Sequence, residues 1–79
     1  MDKPEVVIKL TEVFRAIFNN DTMVLSDELT ANDVENWDSL THMLLITEVE
    51  SAFSIKFKLK DLNKMKNVGD MINIIMTKL

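Results

Sequence analysis

The sequence predicts an all-α fold, and three observations carry that expectation. The 79 residues include one glycine and one proline, too few for a turn-rich β architecture. Apolar residues recur at three- and four-residue steps in three separate stretches. The one alternating stretch, Ile55-Lys56-Phe57-Lys58-Leu59, has no second strand to pair with. The expected architecture is a single domain over 1–79. It is a small four-helix bundle with a long loop between helices 1 and 2 and a short third helix.

Asp2-Lys3-Pro4-Glu5 starts the first helix: a capping acid, proline in the first turn, and an acid three residues after the cap. Val6, Val7, Leu10, Val13, Phe14, Ile17 and Phe18 then form one apolar face, giving a helix over roughly 4–18. Asn19-Asn20-Asp21 stops it. Residues 19–38 lack helical period, and a connection of about 20 residues is uncommon in a compact domain unless it has a task. Met23, Val24, Leu25, Leu29, Val34 and Trp37 are expected to pin it to the bundle. Trp37 is expected to be a packing anchor that sets the approach to the next helix.

Asp38-Ser39 offers two N-cap residues in a row. Leu40, Met43, Leu44, Leu45, Ile46, Val49 and Phe53 follow, predicting a helix over about 39–53. Leu45, Val49 and Phe53 form the line assigned to the core. Leu40, Met43 and Thr47 lie on another line, as does Leu44. The apolar stripe is wider than one core face needs, so part of it should be exposed as a docking surface. Residues 55–59 are expected to be an extended loop burying Ile55, Phe57 and Leu59, with a short helical turn at Lys60-Asp61-Leu62-Asn63. The last helix runs from Val68 to Leu79. Val68, Met71, Ile72, Ile75 and Leu79 form its inner face, Asn67 or Asp70 marks its start, and Lys78 suits its C-terminal dipole.

The totals narrow the function. Absence of cysteine excludes disulfides, thiolate zinc sites and a cysteine nucleophile. A net charge of -4 disfavours nucleic acid. Without an 18-residue apolar run no membrane insertion is expected, and a monomeric cytoplasmic protein is. Charge is uneven: residues 1–40 hold nine acids against three basic residues, and 41–79 hold four acids against six lysines. Ser39 and His42 share a helix side, but the position four beyond His42 is Ile46 and no glycine-rich turn supplies an oxyanion hole. No catalytic residue is assigned, and His42 is expected at the surface near the docking face, where it titrates near neutral pH. Asp27, Glu28, Asp33 and Glu35 lack calcium-loop spacing, so no metal site is assigned. What Ser39 suits is modification: at a helix start a phosphodiester is favoured by the dipole, and Asp38 beside it can help place a cation during phosphoryl transfer.

Asp38-Ser39-Leu40, followed by an apolar helix ending Glu48-Val49-Glu50-Ser51-Ala52-Phe53, resembles the acyl carrier protein family. Val68-Gly69-Asp70 lies about 30 residues later, and the likeness covers essentially the whole chain. The resemblance implies a bundle of acyl-carrier type with Ser39 as the attachment site for 4′-phosphopantetheine and Asp38 as the adjacent motif residue. It implies that a phosphopantetheinyl transferase takes the arm from coenzyme A. The arm's thiol would hold acyl groups as thioesters for acyl-loading and acyl-processing enzymes. Leu40, Met43, Leu44, Thr47 and Glu48 would form the partner face. Asn36-Trp37 before the motif looks more like free-standing carriers of specialised, polyketide-type pathways than fatty-acid-synthesis carriers. Thr41, Leu44, Ser51 and Ala52 stand where that type is usually acidic, and Lys56, Lys58, Lys60, Lys64 and Lys66 follow. Two other readings remain: an aminoacyl or peptidyl carrier, and a helical interaction module never modified at Ser39. Met43, Met65, Met71 and Met76 suggest an adaptable interior able to take an acyl chain.

Overall fold

The computed structural model describes residues 1–79. Four helices follow in order: α1 Lys3–Ile17, α2 Ser39–Phe53, α3 Leu59–Asn63 and α4 Val68–Lys78, with a 3-10 turn at Ala31–Asp33. No strand is present. No helix is long and apolar enough to cross a membrane. The expected all-helical bundle, the long first loop and the short third helix are all observed.

α1 begins as its sequence dictates. Asp2 Oδ1 accepts the Glu5 N–H at 3.0 Å, and the Glu5 carboxylate reaches back to the Asp2 N–H. The helix ends at Phe18, with Asn19 left-handed (φ 49) and the Asn20 N–H returning to the Arg15 carbonyl at 3.0 Å. Asparagine tolerates that conformation better than a branched residue. α1 is the central element and packs against both α2 and α4. Twelve residues, all apolar, form the core. Val6, Leu10 and Phe14 meet Leu45, Ile46, Val49 and Phe53 of α2 and Val68, Met71, Ile72 and Ile75 of α4, with Ile55 beneath. Burying a side chain of this size stabilises by roughly 1.5–3 kcal/mol.

Several expectations need correction. Leu59 was expected in the core but is 74% exposed. The Lys58 N–H is bonded by the Asp61 carboxylate at 2.8 Å, so the chain turns helical at Leu59 and the alternation ends one residue too soon. Leu79 is half exposed because α4 ends at Lys78. Val24 is exposed rather than pinning the loop, whereas Met23, Leu25, Leu29 and Trp37 do pack against the core. Lys78 does more than offset a dipole: its Nζ lies 2.9 Å from Asp61 and ties α4 to α3.

The first loop is fastened to α4 by backbone. The Val68 N–H donates to the Leu29 carbonyl and the Gly69 N–H to the Asp27 carbonyl, both at 2.9 Å. A Cβ on Gly69 would lie 3.0 Å from Asp27 Cβ and 3.1 Å from its carbonyl oxygen. A side chain there therefore requires Asp27 to give way by a few tenths of an ångström, which glycine avoids. Replacing Gly69 with valine should separate loop and helix and lower unfolding stability by about 1–3 kcal/mol, measured by urea denaturation. Unchanged stability would mean that the loop yields freely there.

Candidate functional site

The site is built where the first loop ends. Asn36 takes a left-handed conformation (φ 70) and swings the following indole inward. Trp37 packs edge-on to Phe14 at 5.3 Å between ring centroids and tilted against Phe18 at 5.7 Å. Its Nε1–H donates to His42 Nδ1 at 3.0 Å, and the two rings stack at 6.0 Å. Trp37 is the packing anchor expected of it. It has a polar partner that residue spacing alone did not single out.

Of the two possible caps, Asp38 is the one used. Its Oδ1 accepts the Thr41 N–H at 3.0 Å, while Thr41 Oγ1 accepts the Asp38 N–H at 2.8 Å and donates to the Asn36 carbonyl at 2.6 Å. The hydrogen bond from the Thr41 N–H is the main cause holding the Asp38 carboxyl below the usual carboxylate range. Ser39 is thus the first helical residue and is released from capping. It is exposed, and its hydroxyl has no hydrogen-bond partner within the chain.

Beside Ser39 lies a cleft of about 390 Å³ between the start of α2 and the α3–α4 turn. Trp37, His42, Met65, Lys66 and Met71 line it with Ser39. An apolar-walled cleft next to a free hydroxyl fits a flexible arm attached at that oxygen. The first turn of a 15-residue helix also presents its positive dipole end to a phosphodiester there. Met65 and Met71 face this cleft as an adaptable wall, whereas Met43 is 59% exposed and takes no part in the interior.

Leu40, Met43 and Leu44 are all well exposed on the outer face of α2, with Thr47 and Glu48 one turn further on. Together they make one continuous strip leading away from Ser39. His42 is not the surface residue expected. It is half-buried, its ring is turned to Trp37, and no hydrogen bond joins it to Ser39. Trp37 and His42 stand five residues apart across a cap, so the indole donor in need of a partner was the only signal for this.

No protein-family model matches the chain. It is 28% identical over 79 residues to an acyl carrier protein of Exiguobacterium sp. (strain ATCC BAA-1283 / AT1b), covering 100% of both chains. The solution NMR structure of a holo acyl carrier protein from Geobacter metallireducens superposes with a TM-score of 0.87. That match is 45% identical and covers 92% of this chain and 84% of the other. The chain belongs to the acyl carrier protein family. As an acyl carrier protein it is a carrier and not an enzyme, in keeping with a serine whose neighbouring histidine is engaged elsewhere.

Burial holds the pKa of His42 in this carrier below its ordinary value of 6.5. Protonation at Nδ1 would also cost the bond from Trp37. The unfolded chain therefore takes up a proton before the folded one does. The stability this gives is complete above about pH 6.5 and is lost as pH falls through the folded value. His42 is the only histidine and cysteine is absent, so substituting one residue isolates its contribution. The melting temperature should fall from pH 7.5 to pH 5.5 in the parent and fall less in His42→Gln. Equal slopes would show that the pair does not couple to folding.

Proposed function

We propose that Ser39 is the attachment site of a 4′-phosphopantetheine arm. On this reading residues 1–79 are a single carrier domain that presents acyl intermediates to partner enzymes. The observation that carries it is the free, exposed Ser39 hydroxyl at the first turn of α2, opening on the cleft. The group, when bound, supplies the thiol that holds an acyl chain as a thioester. The chain's own residues do the presenting. Asp38 and Thr41 lock the helix start, Trp37 fixes its position, and the cleft gives arm or cargo an apolar wall. A phosphopantetheinyl transferase is the partner that loads Ser39. Acyl-loading and acyl-processing enzymes then meet Leu40, Met43, Leu44, Thr47 and Glu48.

A specialised lipid or polyketide-type pathway is the setting we favour, with the carrier acting as a cytoplasmic monomer. The support is compositional: Asn36-Trp37 before the motif, and Thr41, Leu44, Ser51 and Ala52 along α2. An acyl cargo, rather than an aminoacyl one, rests on the names of both relatives.

Intact mass tests the assignment. Incubation with coenzyme A, magnesium and a broad-specificity phosphopantetheinyl transferase should add one phosphopantetheine to the parent and none to Ser39→Ala. No gain on folded protein with several transferases would favour an unmodified interaction module. Acylation should then shift NMR resonances of Trp37, His42, Met65 and Met71 if the cargo enters the cleft. Shifts confined to Ser39 and its neighbours would place the cargo in solvent.

A further inference from the structure

Lysines dominate the segment that follows α2. The chain's two ion pairs use Lys3 and Lys78, and Lys9 lies over the Phe53 ring. Lys56, Lys58, Lys60, Lys64 and Lys66 are all exposed and unpaired. The only acid among residues 56–66 is Asp61, and its carboxylate is already engaged by the Lys78 ammonium and the Lys58 N–H. The segment therefore presents five ammonium groups without an ion-pair partner on a chain whose net charge is -4.

Their placement gives them a direction. The Phe57 N–H donates to the Glu50 carboxylate at 2.8 Å, which lays the start of the segment against the C-terminal half of α2. Lys56 shares a surface groove with Thr47, Ser51 and Glu50, whose carboxylate is already engaged by the Phe57 N–H. At the other end Lys66 lines the cleft beside Ser39 and His42. The segment thus begins beside the C-terminal half of α2 at Lys56 and ends beside its N-terminus at Lys66. The apolar strip Leu40, Met43 and Leu44 stands exposed on α2, and Leu59 is exposed within the lysine segment itself. Glu48 is the one exposed acid on α2.

We infer that this carrier docks on an acyl-processing enzyme whose surface around the acyl channel is acidic. The lysines of 56–66 form the charged rim, and Leu40, Met43 and Leu44 enter an apolar patch within it. The inference rests on the carrier reading above and adds the sign of the partner's charge. A protein partner fits better than an anionic lipid surface, because nine acids in residues 1–40 would be repelled by a uniformly negative plane. An enzyme can set its acidic groups opposite the lysines alone.

Two versions of one fatty-acid ketosynthase supply the probe, with glutamates or lysines substituted around its channel mouth. The carrier is first loaded to completion with an acyl-phosphopantetheine, checked by intact mass. At about 20 mM salt, acyl transfer to the glutamate version should be about tenfold faster, and the difference should vanish by about 0.5 M. Lys56→Glu, Lys60→Glu and Lys64→Glu together should reverse the preference. The same three changed to glutamine should abolish it, which keeps the test sound if the glutamate set fails to fold. Equal rates, no transfer to either version, or faster transfer to the lysine version would overturn the inference. A carrier that never loads at Ser39 overturns the carrier reading instead. Retention of the parent on vesicles containing anionic phospholipid, lost in the glutamine set, would assign the rim to a lipid surface and also overturn the enzyme partner.

Discussion

The indole of Trp37 fixes the geometry on which the site depends. It is held on three sides, by Phe14 of α1, by Phe18 at that helix's C-cap and by His42 of α2. Aromatic pairs of this kind contribute about 0.5–1.5 kcal/mol each beyond the area they bury. The polar end of the ring is satisfied by His42, so the indole enters the bundle without leaving a buried donor unpaired. With Trp37 in place, the loop must finish at one point on α1, and the next residue has one position from which to cap α2. Asp38 takes it, and Ser39 is left outside the hydrogen-bond network. A serine that capped the helix would have its hydroxyl committed to a backbone N–H.

The loop is bracketed at its other functional point by α4. Carbonyls of Asp27 and Leu29 receive the first N–H groups of that helix, and Asn67 caps it at 2.8 Å through the Asp70 N–H. Two helix N-termini, those of α2 and α4, therefore flank one cleft, each with its own cap. A connection with little regular structure becomes definite because its middle is tied to α4 and its end to α1 and α2. That answers why so long a segment persists in so small a domain: it positions Ser39 relative to α4 as well as α2.

Much of this was legible in the residues. The Asp2 to Glu5 capping pattern, the 3.6-residue periods of α1 and α4, and the core line Leu45, Val49 and Phe53 follow from local rules that packing did not override. So does the exposure of Leu40, Met43 and Leu44, because one helix side can meet only one core. The misses have a common cause. Leu59, Val24 and Leu79 lie at or beyond element ends, where one residue of shift changes the face presented to the core. The His42 error is of another kind. Its environment depends on a side chain brought in from the preceding loop, and no period within α2 encodes that. The Thr41 reciprocal cap escaped for the same reason, since its hydroxyl serves Asp38 and Asn36 together.

α2 has apolar residues on nearly every side, yet only Leu45, Ile46, Val49 and Phe53 are buried in the core, with Ala52 packed against it. The outer leucines and methionine contribute little to stability, because they stay in water in the folded chain as in the unfolded one. They are free to answer to a partner. A carrier must also leave each partner after delivery, which sets an upper bound on how tightly that strip can bind. On the inferred docking mode, three or four apolar side chains beside a solvent-exposed lysine rim would meet that requirement. The rim's attraction extends about a Debye length and speeds encounter, while its exposed pairs add little to residence time. Burying those charges in a dry interface would lengthen residence and slow the hand-off. On the docking mode inferred above, few central anchors on α2 and flexible lysines on the segment that follows it would let rapid docking and rapid release coexist.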